Sequence, residues 1–102
     1  MKTLVVEDTR TSLKIVCHYL ECMGITPIPA ENGTTAIELF VTERPDMVLL
    51  DIVLPDIDGF EIARRLRQLE QPGDWTPILF LSSMTKDEDL EKGIAAGGDD
   101  YI

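Results

Sequence analysis

Short apolar runs alternate with amphipathic stretches along the chain. Consecutive apolar residues occupy positions 4–6, 47–50 and 78–81, as expected for strands that are buried on both faces of a sheet. A further strand-like segment, 25–30, contains Pro27 and Pro29. Because proline cannot donate a hydrogen bond to a neighbouring strand, this segment is predicted to be an outer strand.

The stretches between these runs carry apolar residues at helical spacing, three or four positions apart. Three helices are predicted by Leu13, Val16, Cys17 and Leu20; by Ala36, Leu39 and Phe40; and by Ile62, Ala63, Leu66 and Leu69. A fourth is predicted around Leu90 and Ile94. Strands that alternate with helices through short loops form parallel sheets with right-handed crossovers and helices on both faces. The pattern therefore predicts one doubly wound α/β domain.

Length and charge narrow the classes of function. A chain of 102 residues fits one domain with one core. Its formal net charge of −10 disfavours direct binding to nucleic acids and to anionic lipid surfaces. No apolar run is long enough for a membrane span, and no secretory signal is visible, so we expect a cytoplasmic protein without membrane contact.

Histidine and cysteine ligands for a metal find no support in the sequence. Cys17 and Cys22 lie five positions apart on the first predicted helix and its end, so they point to different faces and favour neither a disulfide nor a metal clip. The single histidine, His18, lies off the apolar stripe and is expected at the surface. A metal site in this chain would have to use oxygen ligands.

Acidic residues follow two of the predicted inner strands. Glu7 and Asp8 end the first, Asp51 ends the third strand along the chain, and Ser82 follows the fourth. The carboxyl ends of parallel strands meet at one edge of a sheet, where such folds bind ligands. Carboxylates gathered there repel one another unless a cation compensates them. Magnesium fits, because it takes a few carboxylate oxygens and also accepts phosphoryl oxygens.

A carboxylate beside such an ion can attack phosphorus, which makes Asp51 a candidate nucleophile, with Ser82 as a hydrogen-bond donor to the phosphoryl group. Taken singly, each residue also has a structural explanation. Acidic pairs such as Glu7 and Asp8 are common at helix N-termini, and a lone Asp or Ser after a strand is usually a capping or turn residue. Only the combination of strand ends favours a site.

Four sequence blocks, "TLVVED", "PDMVLLDIVLPDIDGFE", "TPILFLSS" and "GIAAGGDDYI", resemble the receiver domains of two-component response regulators in motif, order and spacing. The resemblance covers essentially the whole chain. It implies a flavodoxin-like sheet with strand order 2-1-3-4-5, and a domain that accepts a phosphoryl group from a sensor histidine kinase, a phosphotransfer protein or a small phosphodonor. It also implies an output surface near the fourth helix and the fifth strand.

The resemblance also assigns roles to individual residues. It implies a Mg²⁺ or Mn²⁺ site with Asp8 as a direct ligand, Glu7 acting through water, and the backbone carbonyl of Val53 as a further ligand. Asp51 matches the phosphoacceptor, which also contacts the metal. Ser82 matches the residue that binds the phosphoryl group, and Tyr101 matches the aromatic switch that moves after phosphorylation.

One departure from the family pattern concerns the carboxyl terminus. The family has a lysine three residues after the switch aromatic and then a last helix, whereas this chain ends at Ile102. We therefore expect a receiver domain over residues 1–102 that is C-terminally incomplete and poorly stable alone, and a homodimer is one way to cover its bare sheet face.

Two other classes of function stay open. One is a degenerate receiver that serves only as a docking module. The other is an aspartyl-phosphate phosphatase of the haloacid-dehalogenase type, which needs an acid–base Asp two residues after the nucleophile, where this chain has Val53. Since valine cannot transfer protons, this class is weakly supported. A nucleotide or flavin binder is weaker still, because the first loop lacks the required glycines.

Overall fold

A computed structural model describes residues 1–52 and 54–81, together with the backbone of 100–101. Its elements follow one another as β1 (Lys2–Val6), α1 (Arg10–Cys22), β2 (Thr26–Ala30), α2 (Gly33–Glu43), β3 (Met47–Asp51), α3 (Gly59–Leu69), β4 (Ile78–Leu81) and β5 (Asp100–Tyr101). The fourth helix predicted around Leu90 and Ile94 lies outside the described residues, as do Val53 and Ser82.

The strands form one parallel sheet in the order β2-β1-β3-β4-β5. The predicted doubly wound α/β fold and its strand order are therefore confirmed. β2, which contains Pro27 and Pro29, lies at one edge, as the missing N–H donors of proline require. β1 and β3 lie inside the sheet, and the residues at 3–6 and 48–50 are buried.

Alternate residues of the central strands supply two apolar clusters, one on each face of the sheet. On one face, Leu4, Val6, Val48 and Leu50 pack with apolar residues of α2 and α3, including Phe40 and Leu66. On the other face, Val5 and Leu49 pack with Leu13 and Leu20 of α1. Most residues of the predicted helical stripes thus face the sheet, whereas Leu69, the last residue of the third stripe, is exposed.

Side chains cap two of the three described helices. Asn32 accepts a hydrogen bond from the Thr35 N–H at 2.8 Å at the start of α2. Asp58 accepts one from the Glu61 N–H at 3.0 Å at the start of α3. α1 has no side-chain cap and no acidic residue in its first turn. This difference matters for Glu7 and Asp8, which lie just before α1.

Candidate functional site

Glu7 is the first residue after β1, and hydrogen bonds fix both its backbone and its side chain. Its N–H donates to the Ala30 carbonyl at the end of β2, at 3.0 Å. Its Oε1 accepts a hydrogen bond from the Thr9 N–H at 3.1 Å. Asp8 follows and is exposed, and α1 begins two residues later. The β1–α1 turn thereby presents both acidic side chains at the carboxyl edge of the sheet.

Asp51 is the last residue of β3, the strand next to β1, and lies opposite Leu81 of β4 in the parallel register. One carboxylate oxygen from each of Glu7, Asp8 and Asp51 lies within 4.8 Å of the other two. Glu7 and Asp51 are half-buried, and Asp8 is exposed. The convergence predicted from the strand ends is therefore confirmed for these three residues.

Burial and negative neighbours act together on Glu7. Partial burial raises the pKa of the Glu7 carboxyl above its ordinary value, and the negative charge of Asp51 and hydrogen bonds with Asp51 and Asp8 raise it further. The hydrogen bond from the Thr9 N–H opposes these effects. The ionised form of Glu7 is thus disfavoured by its surroundings, and a cation bound among the oxygens would relieve the repulsion.

Neither acidic side chain of the pair caps the first turn of α1. Acidic side chains before a helix commonly cap its first turn, yet the first turn of α1 receives no side-chain cap and contains no acidic residue. The helix that follows Asp51 is capped by Asp58. Capping of α1 therefore does not account for the placement of Glu7 and Asp8, whose carboxylates form a cluster with that of Asp51.

The loop between Asp51 and α3 turns back sharply onto the end of β3. The Gly59 N–H donates to the Ile52 carbonyl at 2.7 Å. A Cβ atom at Gly59 would lie 2.3 Å from the Asp51 carbonyl oxygen and 2.7 Å from the Ile52 Cα. Only glycine allows this approach, so Gly59 is needed for the geometry at Asp51.

Not every predicted site residue can be assigned a position. Val53 and Ser82 lie outside the described residues. Tyr101 lies in β5, with its backbone opposite Phe80, and its side chain is outside the description. Their roles stay predictions.

Sequence reasoning missed one residue close to the site. Asp56, in the loop after β3, accepts hydrogen bonds from the N–H groups of Gly33 and Thr34 at the start of α2. These partners lie 23 and 22 residues away, so no local spacing could reveal them. A signal was present only in the residue type, because Asp is a common partner of helix N-termini.

The sequence also predicted that the two cysteines form no disulfide and that no segment spans a membrane. Cys17 and Cys22 are free thiols, and the exposed His18 places its Nε2 atom 3.6 Å from the Cys22 Sγ atom. Among the residues that the structure describes, no helix has the length and apolar character needed to cross a membrane.

Comparison with known proteins identifies the family. Residues 3–102 match the profile of the response regulator receiver domain. The chain belongs to this family. The receiver domain is 38% identical over 101 residues to the transcriptional regulatory protein YxdJ of Bacillus subtilis, a match that covers 99% of this chain and 42% of that protein. The chain thus spans about two fifths of the length of the curated relatives it matches.

Solved structures agree with the fold. The Vibrio cholerae chemotaxis protein CheY4 superposes on this receiver domain with a TM-score of 0.93 at 30% identity, covering 99% of this chain and 83% of that one. The BeF3-activated N-terminal receiver domain of Klebsiella pneumoniae RstA gives a TM-score of 0.90 at 33% identity, covering 100% and 84%. Receiver domains are signalling domains of two-component systems, so the chain is a signalling module.

Proposed function

We propose that this receiver domain accepts a phosphoryl group on Asp51 in a reaction that depends on Mg²⁺ or Mn²⁺. The observation that carries the proposal is the grouping of the Glu7, Asp8 and Asp51 carboxylates within 4.8 Å at the end of the central strands. Hard divalent cations prefer such all-oxygen sites. In this assignment Asp8 is a direct ligand, Glu7 acts through water, and Asp51 contacts the ion and also attacks phosphorus.

The chemistry asks little of the protein beyond position and charge. A bound divalent ion neutralises the phosphoryl oxygens that would otherwise repel the attacking carboxylate. An Asp51 oxygen forms the new bond to phosphorus while the bond between phosphorus and the donor breaks, and the donor leaves with the electron pair. Asp51 suits this role because it ends a central strand, is half-buried and has its backbone paired with Leu81 of β4.

The remaining roles in the proposal derive from the family resemblance. Ser82 binds the phosphoryl group, the Val53 carbonyl is a metal ligand, and Tyr101 moves when the Ser82 hydroxyl moves. The change alters the surface near the fourth helix and the fifth strand. Phosphorylation then shifts the population of two surface states rather than creating a new structure.

The proposed partners follow from the same chemistry. A sensor histidine kinase or a phosphotransfer protein supplies the phosphoryl group, and the domain works in the cytoplasm. Because YxdJ is named a transcriptional regulatory protein, we infer that this receiver controls a regulatory output of that kind. The net charge of −10 supports an output that does not use direct DNA contact by this domain.

The test is incubation of the protein with a small phosphodonor such as acetyl phosphate, with and without Mg²⁺. Intact mass and peptide mapping are expected to show one added phosphoryl group on Asp51, only when Mg²⁺ is present. Asp51→Asn is expected to remove the gain. Asp74→Asn is the matched control, because it makes the same charge change on an exposed residue in the loop before β4, and it is expected to react like the wild type. A wild-type protein that gains no mass would favour the docking module instead.

A further inference from the structure

The Asp56 carboxylate joins two separate parts of the receiver domain. Its Oδ1 atom accepts hydrogen bonds from the Gly33 N–H at 2.8 Å and from the Ile57 N–H at 2.9 Å. Its Oδ2 atom accepts hydrogen bonds from the Thr34 N–H at 3.0 Å and from the Thr34 Oγ1 at 2.9 Å. One side chain thus ties the β3–α3 loop to the first turn of α2. We call this set of contacts the Asp56 clasp.

The clasp uses N–H groups that the helix itself leaves over. The first N–H groups of a helix have no partner within it, and the helix's own cap, Asn32, accepts only from Thr35. Asp56 takes the N–H groups of Gly33 and Thr34, and its negative charge suits the positive end of the helix dipole. These hydrogen bonds hold the pKa of the Asp56 carboxyl well below its usual range.

The loop that carries the clasp starts at the proposed phosphoacceptor. Its two ends are joined by the Gly59 N–H to Ile52 carbonyl hydrogen bond of 2.7 Å, and the clasp fixes its middle. The fit at α2 is close, because a Cβ atom at Gly33 would lie 3.2 Å from the Asp56 Oδ1 atom and 2.8 Å from the Ile62 Cδ1 atom. A shift of this loop therefore requires a shift of α2, or the loss of the clasp.

The same turn before α2 also holds the other acidic segment. The Glu7 N–H donates to the Ala30 carbonyl at 3.0 Å, and Arg10 of α1 forms an ion pair of 2.9 Å with Glu31. The clasp contacts this turn two residues further along the chain, at Gly33. Glu7 on one side and the loop after Asp51 on the other are thus fastened to a common support, the β2–α2 turn.

We propose that Asp56 is a positioning residue of the phosphorylation site, which holds the loop after Asp51 on the β2–α2 turn and so keeps the Asp51 and Glu7 segments at their mutual spacing. This inference rests on the proposed function of Asp51. It assigns Asp56 no contact with the phosphoryl group or the metal. Its loss is expected to weaken cation binding and to slow phosphoryl transfer, beyond any general loss of stability.

The main experiment compares Asp56→Ala with Asp58→Ala in the whole protein. Both variants remove one negative charge from the same loop, but Asp58 only caps α3, through its hydrogen bond to the Glu61 N–H at 3.0 Å. Mg²⁺ affinity is measured by calorimetric titration, and the phosphorylation rate is measured with acetyl phosphate at saturating Mg²⁺. Asp56→Ala is expected to weaken Mg²⁺ binding by about tenfold, which is the smaller effect seen when a residue that supports metal ligands is lost. Asp58→Ala is expected to weaken it by less than about twofold.

A gentler pair of variants covers the case in which Asp56→Ala does not fold. Thr34→Val removes only the hydroxyl that donates to Asp56, and Thr34→Ser keeps that hydroxyl. A decrease of about two- to threefold in Mg²⁺ affinity is expected for the valine variant, in keeping with one lost hydrogen bond. The serine variant is expected to keep the wild-type affinity. A merely structural role of the Thr34 hydroxyl would lower the stability of the valine variant but leave its Mg²⁺ affinity unchanged.

The outcomes separate this inference from the proposed function. If the wild type binds Mg²⁺ and is phosphorylated, while the Asp56 and Thr34 variants match their controls in affinity and rate, the positioning role is overturned and the proposed function stands. If the wild type neither binds Mg²⁺ nor gains a phosphoryl group, both are overturned. Weaker binding in Asp56→Ala alone, or a serine rescue at position 34, supports the positioning role.

Discussion

Two groups of acidic residues lie in contrasting surroundings, one beside the start of β4 and the other at the carboxyl ends of β1 and β3. Before β4, Glu70 accepts a hydrogen bond from Arg67 at 2.6 Å and one from the Thr76 N–H at 2.8 Å. At the other end, one carboxylate oxygen from each of Glu7, Asp8 and Asp51 lies within 4.8 Å of the other two. The same residue types therefore serve two purposes in one small sheet.

The amino end stabilises the fold. Arg67 also donates to the Thr76 carbonyl at 2.7 Å and lies 3.5 Å from the centre of the Trp75 ring, and the side chains of Arg67 and Glu70 are only 12% and 8% exposed. Because both side chains are largely buried, removing either one would leave the other charge without its partner. At the carboxyl end, partial burial and the negative charge of Asp51 instead raise the pKa of Glu7. A cation bound among these carboxylates would offset their mutual repulsion.

The largest effect is expected from Gly59→Ala, because the added Cβ atom would collide with the backbone at the carboxyl end of β3. A Cβ atom 2.3 Å from the Asp51 carbonyl oxygen forces the loop or the strand end to move, at a cost of about 3 kcal/mol. Mg²⁺ binding and phosphorylation are expected to fall with it. Urea unfolding and calorimetric titration measure the two effects.

Gly73→Ala is the control for this variant. Gly73 has open space around it and a φ of +89°, so alanine there is expected to cost about 1 kcal/mol through backbone strain alone and to leave Mg²⁺ binding unchanged. Equal losses of Mg²⁺ affinity in both variants would contradict a local role for Gly59.

Arg67→Ala is expected to have the next largest effect, confined to stability. The variant leaves the Glu70 carboxylate, 8% exposed, without its cation and the Thr76 carbonyl without a donor, which costs about 2 kcal/mol. The phosphorylation rate of the folded fraction should not change, because the site lies at the other end of the strands. Arg64→Ala breaks an exposed pair with Glu61 and is expected to cost less than about 0.5 kcal/mol. A loss of phosphorylation in Arg67→Ala would show that the two ends are coupled.

The smallest expected effect concerns the pH dependence of stability in the absence of divalent ions. Because the folded state raises the pKa of Glu7 above its ordinary value of 4.5, the folded protein binds this proton more readily than the unfolded chain does. The contribution of Glu7 to stability is therefore greatest below pH 4.5 and is lost as the pH rises through the folded-state pKa. Glu7→Gln is expected to remove this slope and to be more stable than the wild type at pH 7.

The measurement is thermal unfolding of both proteins from pH 5 to pH 8 with a chelator present. Asp56, whose pKa is lowered, contributes stability that is lost only as the pH falls below the ordinary range for Asp, so it does not interfere in this window. If the unfolding temperatures of the wild type and Glu7→Gln change with pH in parallel, the raised pKa of Glu7 in the folded state is contradicted.

Much of the fold could be predicted because its signals are local. Val5 and Val6, with Leu49 and Leu50, lie in apolar runs since the central strands are buried on both faces, and a proline-containing strand has to lie at an edge. The strand order was not contained in these patterns and came from the family resemblance. The carboxylate cluster was predictable because parallel strands end at the same edge.

The contacts that could not be predicted join residues far apart in sequence. Asp56 contacts Thr34 across 22 residues, and neither residue has a neighbour that marks the pairing. In the segment that follows α3, Glu70 accepts a hydrogen bond from the Thr76 N–H, and Arg67 stacks on Trp75. Such contacts depend on how loops fold back on helices, for which the sequence carries no periodic signal.

The most direct test of the central claim is a calorimetric titration of the wild-type protein and of Asp8→Asn with Mg²⁺ near pH 7. The account predicts a single saturable site in the wild type, and a large loss of affinity when the exposed carboxylate of Asp8 becomes an amide. Saturating Mg²⁺ should also stabilise the wild type, by about 2.7 kcal/mol at one hundred times the dissociation constant. A wild-type protein that binds no Mg²⁺, or an Asp8→Asn variant that binds it equally well, would contradict the account.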